Sequence, residues 1–231
     1  MAKIGLIGGM SWESTATYYQ AINRHVRELR GGLHSAELVL ESLDFSRIEP
    51  LQRRGAWQEC ASILSDAAVR LEAAGAEAVL LCTNTMHKVA DEIEASISIP
   101  FLHIADVTAE EVLRRGASCV GLLGTRFTME EAFYRERLRE RFGLQVVCPC
   151  SEDQAIVHSI IYDELCVGEV LHASRQEYVR IIERLQDEGA EAVLLACTEI
   201  GLLVTQADTK VALIDTTIVH AQAAARFSVE S

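Results

Sequence analysis

Short, largely apolar runs alternate along this chain with longer segments of helical period. Ile4 to Ile7 precede Trp12 to Leu29, Leu38 to Leu40 precede Trp57 to Leu71, and Ala78 to Leu81 precede Met86 to Ile93. The second half repeats the rhythm with Cys119 to Leu123, Met129 to Phe142, Leu144 to Val147, Arg175 to Leu185 and Ala192 to Leu195. Runs of four or five apolar residues without alternation suit strands buried on both faces. The pattern therefore predicts an α/β fold built of parallel sheets covered by helices.

An internal repeat divides the chain. Gly75-Ala-Glu-Ala-Val-Leu-Leu81 recurs unchanged as Gly189-Ala-Glu-Ala-Val-Leu-Leu195. Ile4-Gly-Leu-Ile-Gly8 resembles Val120-Gly-Leu-Leu-Gly124, and His103-Ile-Ala-Asp106 loosely echoes Leu213-Ile-Asp215, in the same order. Duplication follows, with two similar parallel-sheet domains over residues 1–101 and 102–216 related by a pseudo-twofold axis. A ligand is expected in the cleft between them, at the carboxyl ends of the strands. Gly75 and Gly189 are each expected to end a helix in the left-handed conformation and release the chain into a strand.

Composition narrows the function. With 21 Lys and Arg against 34 Asp and Glu, the formal charge is −13, which opposes binding to a phosphate backbone. No apolar run reaches the length of a membrane span, and the N-terminus enters a strand-like run without a signal-peptide pattern, so a cytoplasmic protein is expected. The seven cysteines are odd in number and include no C-x-x-C pair; free thiols are expected. Seven dispersed histidines show no ligand spacing, and no metal is expected.

A cysteine and a threonine come after each copy of the repeated strand, in Cys82-Thr83-Asn84-Thr85 and Ala196-Cys197-Thr198-Glu199. Any one cysteine beside two leucines reads as a small core residue. Two such thiols at matching strand ends read as a pair, one able to take a proton from one face of a carbon while the other delivers a proton to the opposite face. A helix is expected to begin after each, with its N-terminus lowering the thiol pKa. Backbone N–H groups and hydroxyls at Thr83, Asn84, Thr85 and Thr198 are candidates for holding a carboxylate. The turn Gly8-Gly9-Met10-Ser11 follows the first strand, where glycines let a ligand approach the backbone; it has neither a dinucleotide fingerprint nor a P-loop spacing. Arg53 or Arg54, and Arg126 after Thr125, are candidates to reach a substrate carboxylate. His87 is expected to be a packed residue rather than a catalytic one.

Taken together, Gly8-Gly-Met-Ser-Trp-Glu-Ser-Thr15, Cys82-Thr-Asn-Thr-Met-His-Lys88, Leu123-Gly-Thr-Arg126, Ile160-Ile-Tyr-Asp-Glu-Leu165 and Cys197-Thr-Glu-Ile200 resemble the aspartate/glutamate racemase family, nearly end to end. The resemblance implies racemisation without a cofactor, no metal, a small amino-acid substrate and a homodimer. It implies Cys82 and Cys197 as the catalytic pair. Met10, Gln52, Arg53, Thr83, Asn84, Thr85 and Thr198 match segments that contact substrate, and Ser11, Thr125 and Glu199 in the same segments complete the binding set. It also implies that the C-terminal helix, 217–231, packs back on the first domain. The alternatives are a related cysteine-dependent decarboxylase or cis/trans diacid isomerase, and a non-catalytic amino-acid-binding protein; retention of both thiols favours racemisation.

Overall fold

The computed structural model describes residues 1–231, in two compact units: Met1–Ile104 with His220–Ser231, and Ala105–Val219. The first contains β1 (Ile4–Gly8), α1 (Trp12–Arg30), β2 (Leu38–Ser42), α2 (Phe45–Arg53), α3 (Trp57–Ala73), β3 (Ala78–Leu81), a 3-10 turn at Thr85–Val89, α4 (Ala90–Ala95) and β4 (Phe101–Leu102). Its four strands are all parallel in the order β2-β1-β3-β4. Central β1 and β3 are buried at every position, whereas edge strand β2 is not. Their unbroken apolar runs are what two covered faces require.

Because side chains alternate along a strand, the two faces have separate cores. Ile4, Leu6, Ala78, Leu80 and Cys82 pack with Tyr18, Ile22 and Val26, a four-spaced stripe of α1. Ile7, Val79 and Leu81 pack with Cys60, Leu64, Ala68 and Leu71 of α3.

The second unit carries α5 (Ile104–Arg114, whose first residue belongs to the other unit), β5 (Cys119–Gly124), α6 (Arg126–Glu130), α7 (Ala132–Phe142), β6 (Gln145–Val147) and α8 (Ser151–Asp163). After a 3-10 turn at Leu165–Val167 come α9 (His172–Asp187), β7 (Ala192–Ala196), α10 (Ile200–Leu203), β8 (Ala212–Asp215) and α11 (Thr216–Glu230). The sheet is again parallel, ordered β6-β5-β7-β8. Ile4 pairs with Ala78 in the first sheet and Val120 with Ala192 in the second, so the register repeats along with the sequence. Gly5 and Gly121 play one role: a Cβ there would lie 3.1 Å from Leu71 Cβ or 2.9 Å from Leu185 Cδ1, the residues by which α3 and α9 press on their sheets.

The repeated glycines close their helices identically. Gly75 N–H donates to Glu72 O and Ala76 N–H to Leu71 O; Gly189 N–H donates to Gln186 O and Ala190 N–H to Leu185 O. These are paired Schellman caps, with φ of +86° and +105° at the glycines. Alanine at either glycine should cost about 1 kcal/mol through the strain at positive φ, and the two losses should add, as a urea titration of the single and double variants would measure.

Local sequence misses three features. The segment Met129 to Phe142 is not one helix, because Glu131 is extended at φ −81°, ψ 153° and separates α6 from α7. α7 has little apolar stripe and is held by charge, since Arg137 grips Asp106 of α5 with two nitrogens. Met86 to Ile93 begins as a 3-10 turn before becoming α4. No helix is long and apolar enough to cross a membrane, and all seven cysteines are free.

Candidate active site

Cys82 lies directly beyond β3 with no exposed surface. Its N–H donates to Ile7 O at 2.9 Å, and its carbonyl accepts from Ser14 Oγ at 2.9 Å. Ser14 therefore ties the first turn of α1 to the cysteine. The β1–α1 turn is fastened internally: Gly9 N–H donates to Thr15 Oγ1 at 2.8 Å, and Ser11 caps α1 by accepting from Ser14 N–H at 3.2 Å. A side chain at either glycine of this turn would meet the protein's own atoms, Thr15 beside Gly8 and the Leu43 backbone beside Gly9.

Met10 is buried in the α3-side core with Ile48, Leu51 and Met86, and Gln52 donates from Nε2 to Met86 Sδ at 2.7 Å. Gln52 and Met86 thus meet although they are far apart in sequence, at the core that also holds Met10. Arg53 closes α2 with its guanidinium exposed and paired to Glu49, and Arg54 pairs with Glu59 at 2.7 Å. Asn84 and Thr85 are buried, while Thr83 is half-buried.

His87 is a packed residue whose protonation is set by its partners. Nδ1 donates to Thr83 O at 2.8 Å and Nε2 accepts from Ile104 N–H at 3.2 Å, so one ring nitrogen faces a group that can only accept and the other a group that can only donate. The neutral ring satisfies both. His103 lies 4.6 Å and His220 5.9 Å from it, centroid to centroid. His220 donates from Nε2 to Leu102 O at 2.7 Å and receives the Tyr18 hydroxyl at Nδ1, 2.8 Å away. Burial brings His220 from the ordinary 6.5 down to about 4.

Stability should therefore depend on pH through His220. Below 6.5 the unfolded chain binds a proton that the folded imidazole refuses, so stability falls as pH drops from about 6.5 to about 4. The loss reaches about 3 kcal/mol at the lower end. Urea titrations across this range should show that slope in the natural protein and a flatter one in His220→Asn.

Cys197 follows β7 in the second unit, also buried, against Leu195, Ile200 and Tyr178 of α9. Its Sγ donates to Glu199 Oε2 at 3.1 Å, and Thr198 Oγ1 donates to the same oxygen at 2.6 Å. Thr125 sits at the end of β5 with its hydroxyl 3.3 Å from that of Thr128. Asp215, not singled out from sequence, ends β8 beside Leu195; its Oδ1 caps α11 by accepting from Thr217 and Ile218 N–H. Burial raises its pKa. A Cβ on Gly201 would lie 2.7 Å from Asp215 Oδ2, so a glycine in α10 leaves room for that carboxylate.

Two expectations about the thiols are corrected. Burial pushes both pKa values up, and at Cys197 the Glu199 charge adds to it. The helices after them are a 3-10 turn and the four-residue α10, too short to offset desolvation. Nor are the cysteines at the same repeat position: β7 runs one residue further than β3, so Cys82 matches Ala196 and Cys197 matches Thr83. With a side-chain period of two, Cys82 joins the α1 face of its sheet and Cys197 the α9 face of its own, and α9 is the repeat of α3.

The family sequence model for Asp/Glu/Hydantoin racemase matches residues 7–224. The chain belongs to this family, and it is an isomerase of the racemase class acting on small amino-acid substrates. It is 23% identical over 221 residues to the broad-specificity amino-acid racemase RacX of Bacillus subtilis, covering 92% of each chain. Among solved structures it resembles a Yersinia pestis protein provisionally named an Asp/Glu racemase (52% identity, TM-score 0.94, 99% and 100% of the two chains). It also resembles an aspartate racemase homologue from Pyrococcus horikoshii (36% identity, TM-score 0.87, 99% and 100%).

Proposed function

We propose that this protein racemises aspartate, glutamate or both without a cofactor, with Cys82 and Cys197 exchanging the roles of base and acid on opposite faces of the α-carbon. The observation that carries the reading is the pair of buried, free thiols, each immediately beyond a central strand of a duplicated sheet and each followed by threonine. Each buried thiol, shielded from water, is suited to proton transfer at carbon. Backbone N–H groups and hydroxyls around Thr83, Asn84, Thr85 and Thr198 bind the α-carboxylate and stabilise the charge that develops on it. Met10, Ser11, Gln52, Arg53 and Thr125 form the rest of the substrate surface, with Arg53 leaving Glu49 to meet the side-chain carboxylate. Residues 1–101 with the helix 217–231, and residues 102–216, act as the two domains. The protein works as a homodimer in the cytoplasm, and sedimentation velocity measures the first of these.

Proton NMR in D₂O with L-aspartate, L-glutamate and a panel of neutral amino acids, read beside chiral chromatography, tests the reaction. Loss of the α-proton signal with formation of the D-enantiomer from the diacids is the expected result. Inversion of the neutral amino acids alone would overturn the substrate assignment. Carbon dioxide release or maleate isomerisation without inversion would replace the reaction with its diacid alternatives, and binding without exchange would leave an amino-acid-binding protein.

A further inference from the structure

The charges of α7 sort by face. Its arginines stand at alternate positions, 135, 137, 139 and 141. Arg137 and Arg141 turn to one side, where both reach Asp106 of α5. Ala132, Arg135, Glu136 and Arg139 share another face, at the i, i+3, i+4, i+7 spacing that an amphipathic helix normally gives to its apolar stripe. With Val146 of the edge strand β6 they line a hollow of about 230 Å³. The charges in this hollow are barely answered by the protein itself. Arg135 donates through one terminal nitrogen to Glu130 O at 2.9 Å, but its buried Nε has no acceptor. Arg139 meets only Glu140, at 3.6 Å on the open surface, and such a pair holds little. Glu136 lines the same hollow and carries no ion pair. The comparable hollow along α9 has its cations spent, Arg175 on Leu203 O and Arg180 on Asp153 and Glu177.

We propose that this hollow is a second binding site, for an acidic amino acid, in which Arg135 and Arg139 take the two carboxylates and Glu136 takes the ammonium group. None of its residues belongs to the substrate surface assigned above. Two negative charges and one positive on the ligand match the lining charge for charge. The two arginines are one helical turn apart, about 5–6 Å between Cβ atoms, a span that two carboxylates on a short carbon chain can bridge. Each guanidinium offers a carboxylate a planar fork of donors. Ala132, with a single methyl, leaves the hollow open. A diacid without an amino group, or a phosphate ion, answers the arginines but sets its own charge against Glu136, and so binds more weakly.

Phenylglyoxal labelling of individual arginines in the whole chain, read by peptide mass spectrometry, tests the site. Racemic aspartate and racemic glutamate serve as ligands, so that turnover leaves their composition unchanged, with succinate and inorganic phosphate as comparison arms. Labelling of Arg135 and Arg139 should slow by about tenfold once the amino acid stands about ten times above its Kd, while Arg141, on the other face of α7, should label as before. Succinate and phosphate should need about tenfold higher concentration for the same protection. Glu136→Gln should remove that preference for the amino acid, and Arg139→Gln should weaken protection of Arg135 about tenfold or more. Both substitutions fall at exposed positions, so circular dichroism should be unchanged. Absence of protection, protection by phosphate alone, equal protection by succinate, or a Glu136→Gln protein with the natural preference would overturn the proposal. Arg139→Gln should also keep the natural kcat/KM at low substrate, and a loss of turnover there would make α7 part of the catalytic site instead of a second one. Labelling requires no turnover, so failure of the racemase reading and failure of this one are told apart.

Discussion

Cys82→Ala and Cys197→Ala should each reduce racemisation by about a thousandfold or more, since each removes one of two obligatory proton-transfer groups. The double variant should be little worse than either single one, because groups that act as a unit are not additive. The remaining thiol still faces one side of the α-carbon. In D₂O each single variant should therefore exchange the α-proton of one enantiomer slowly and with retention, and the two variants should choose opposite enantiomers. Chiral chromatography with proton NMR reads both quantities. Both variants should fold, because alanine in place of a buried cysteine removes only a sulfur, and circular dichroism checks this. Inversion persisting in either variant would mean that the missing thiol is not one of the two bases. The natural activity should also rise with pH above neutrality, since both thiols are held protonated by burial and one must become a thiolate to react.

The fold was legible because a central strand of a parallel sheet has little choice of sequence: Ile4 to Gly8 and Ala78 to Leu81 must be apolar or small on both faces, and they are. The repeated glycine after α3 and α9 was legible because only positive φ closes those helices. What escaped was whatever depends on partners distant in the chain. The break at Glu131 has no glycine or proline to mark it, and α7 is placed by an ion pair with Asp106, 31 residues before Arg137. Helix positivity was the wrong guide to the thiols, because desolvation outweighs the dipole of a single turn. Glu199 was legible only as part of its motif; the hydrogen bonds of its carboxylate to Cys197 and Thr198 depend on side-chain placement that the sequence does not carry. The one-residue difference between the cysteines was visible in the repeat alignment itself. Its meaning, a change of sheet face, becomes clear once the strand register is known.

Gly9→Ala should be the most damaging single-methyl addition in the first unit, costing about 4 kcal/mol or more. Gly9 stands at φ +88°, and a Cβ on it would fall 1.9 Å from Leu43 O and 2.6 Å from Leu43 N. The obstacle is backbone, so no rotamer change relieves it. Leu43 N–H also donates to Gly8 O at 3.0 Å, and Gly9 N–H to Thr15 Oγ1 at 2.8 Å, so moving either segment breaks a bond that fastens the β1–α1 turn. A loss of that size is a large share of the about 5–15 kcal/mol that keeps a domain folded. Gly8→Ala is the instructive comparison. Its Cβ would meet the Thr15 side chain at 2.5 Å, with Leu40 Cδ1 at 3.0 Å, and both of these neighbours are side chains. Adding Thr15→Ala should therefore recover part of the Gly8→Ala loss, a coupling of about 1 kcal/mol in a double-mutant cycle, and recover none of the Gly9→Ala loss. Urea titration of the five proteins and the natural chain measures all of these differences. Because Ser14 carries the turn's position to the Cys82 carbonyl, any Gly9→Ala protein that does fold should also have a displaced Cys82 and a depressed rate. A folded Gly9→Ala protein with natural stability would show that Leu43 moves aside freely, and that the turn does not hold Cys82 in place.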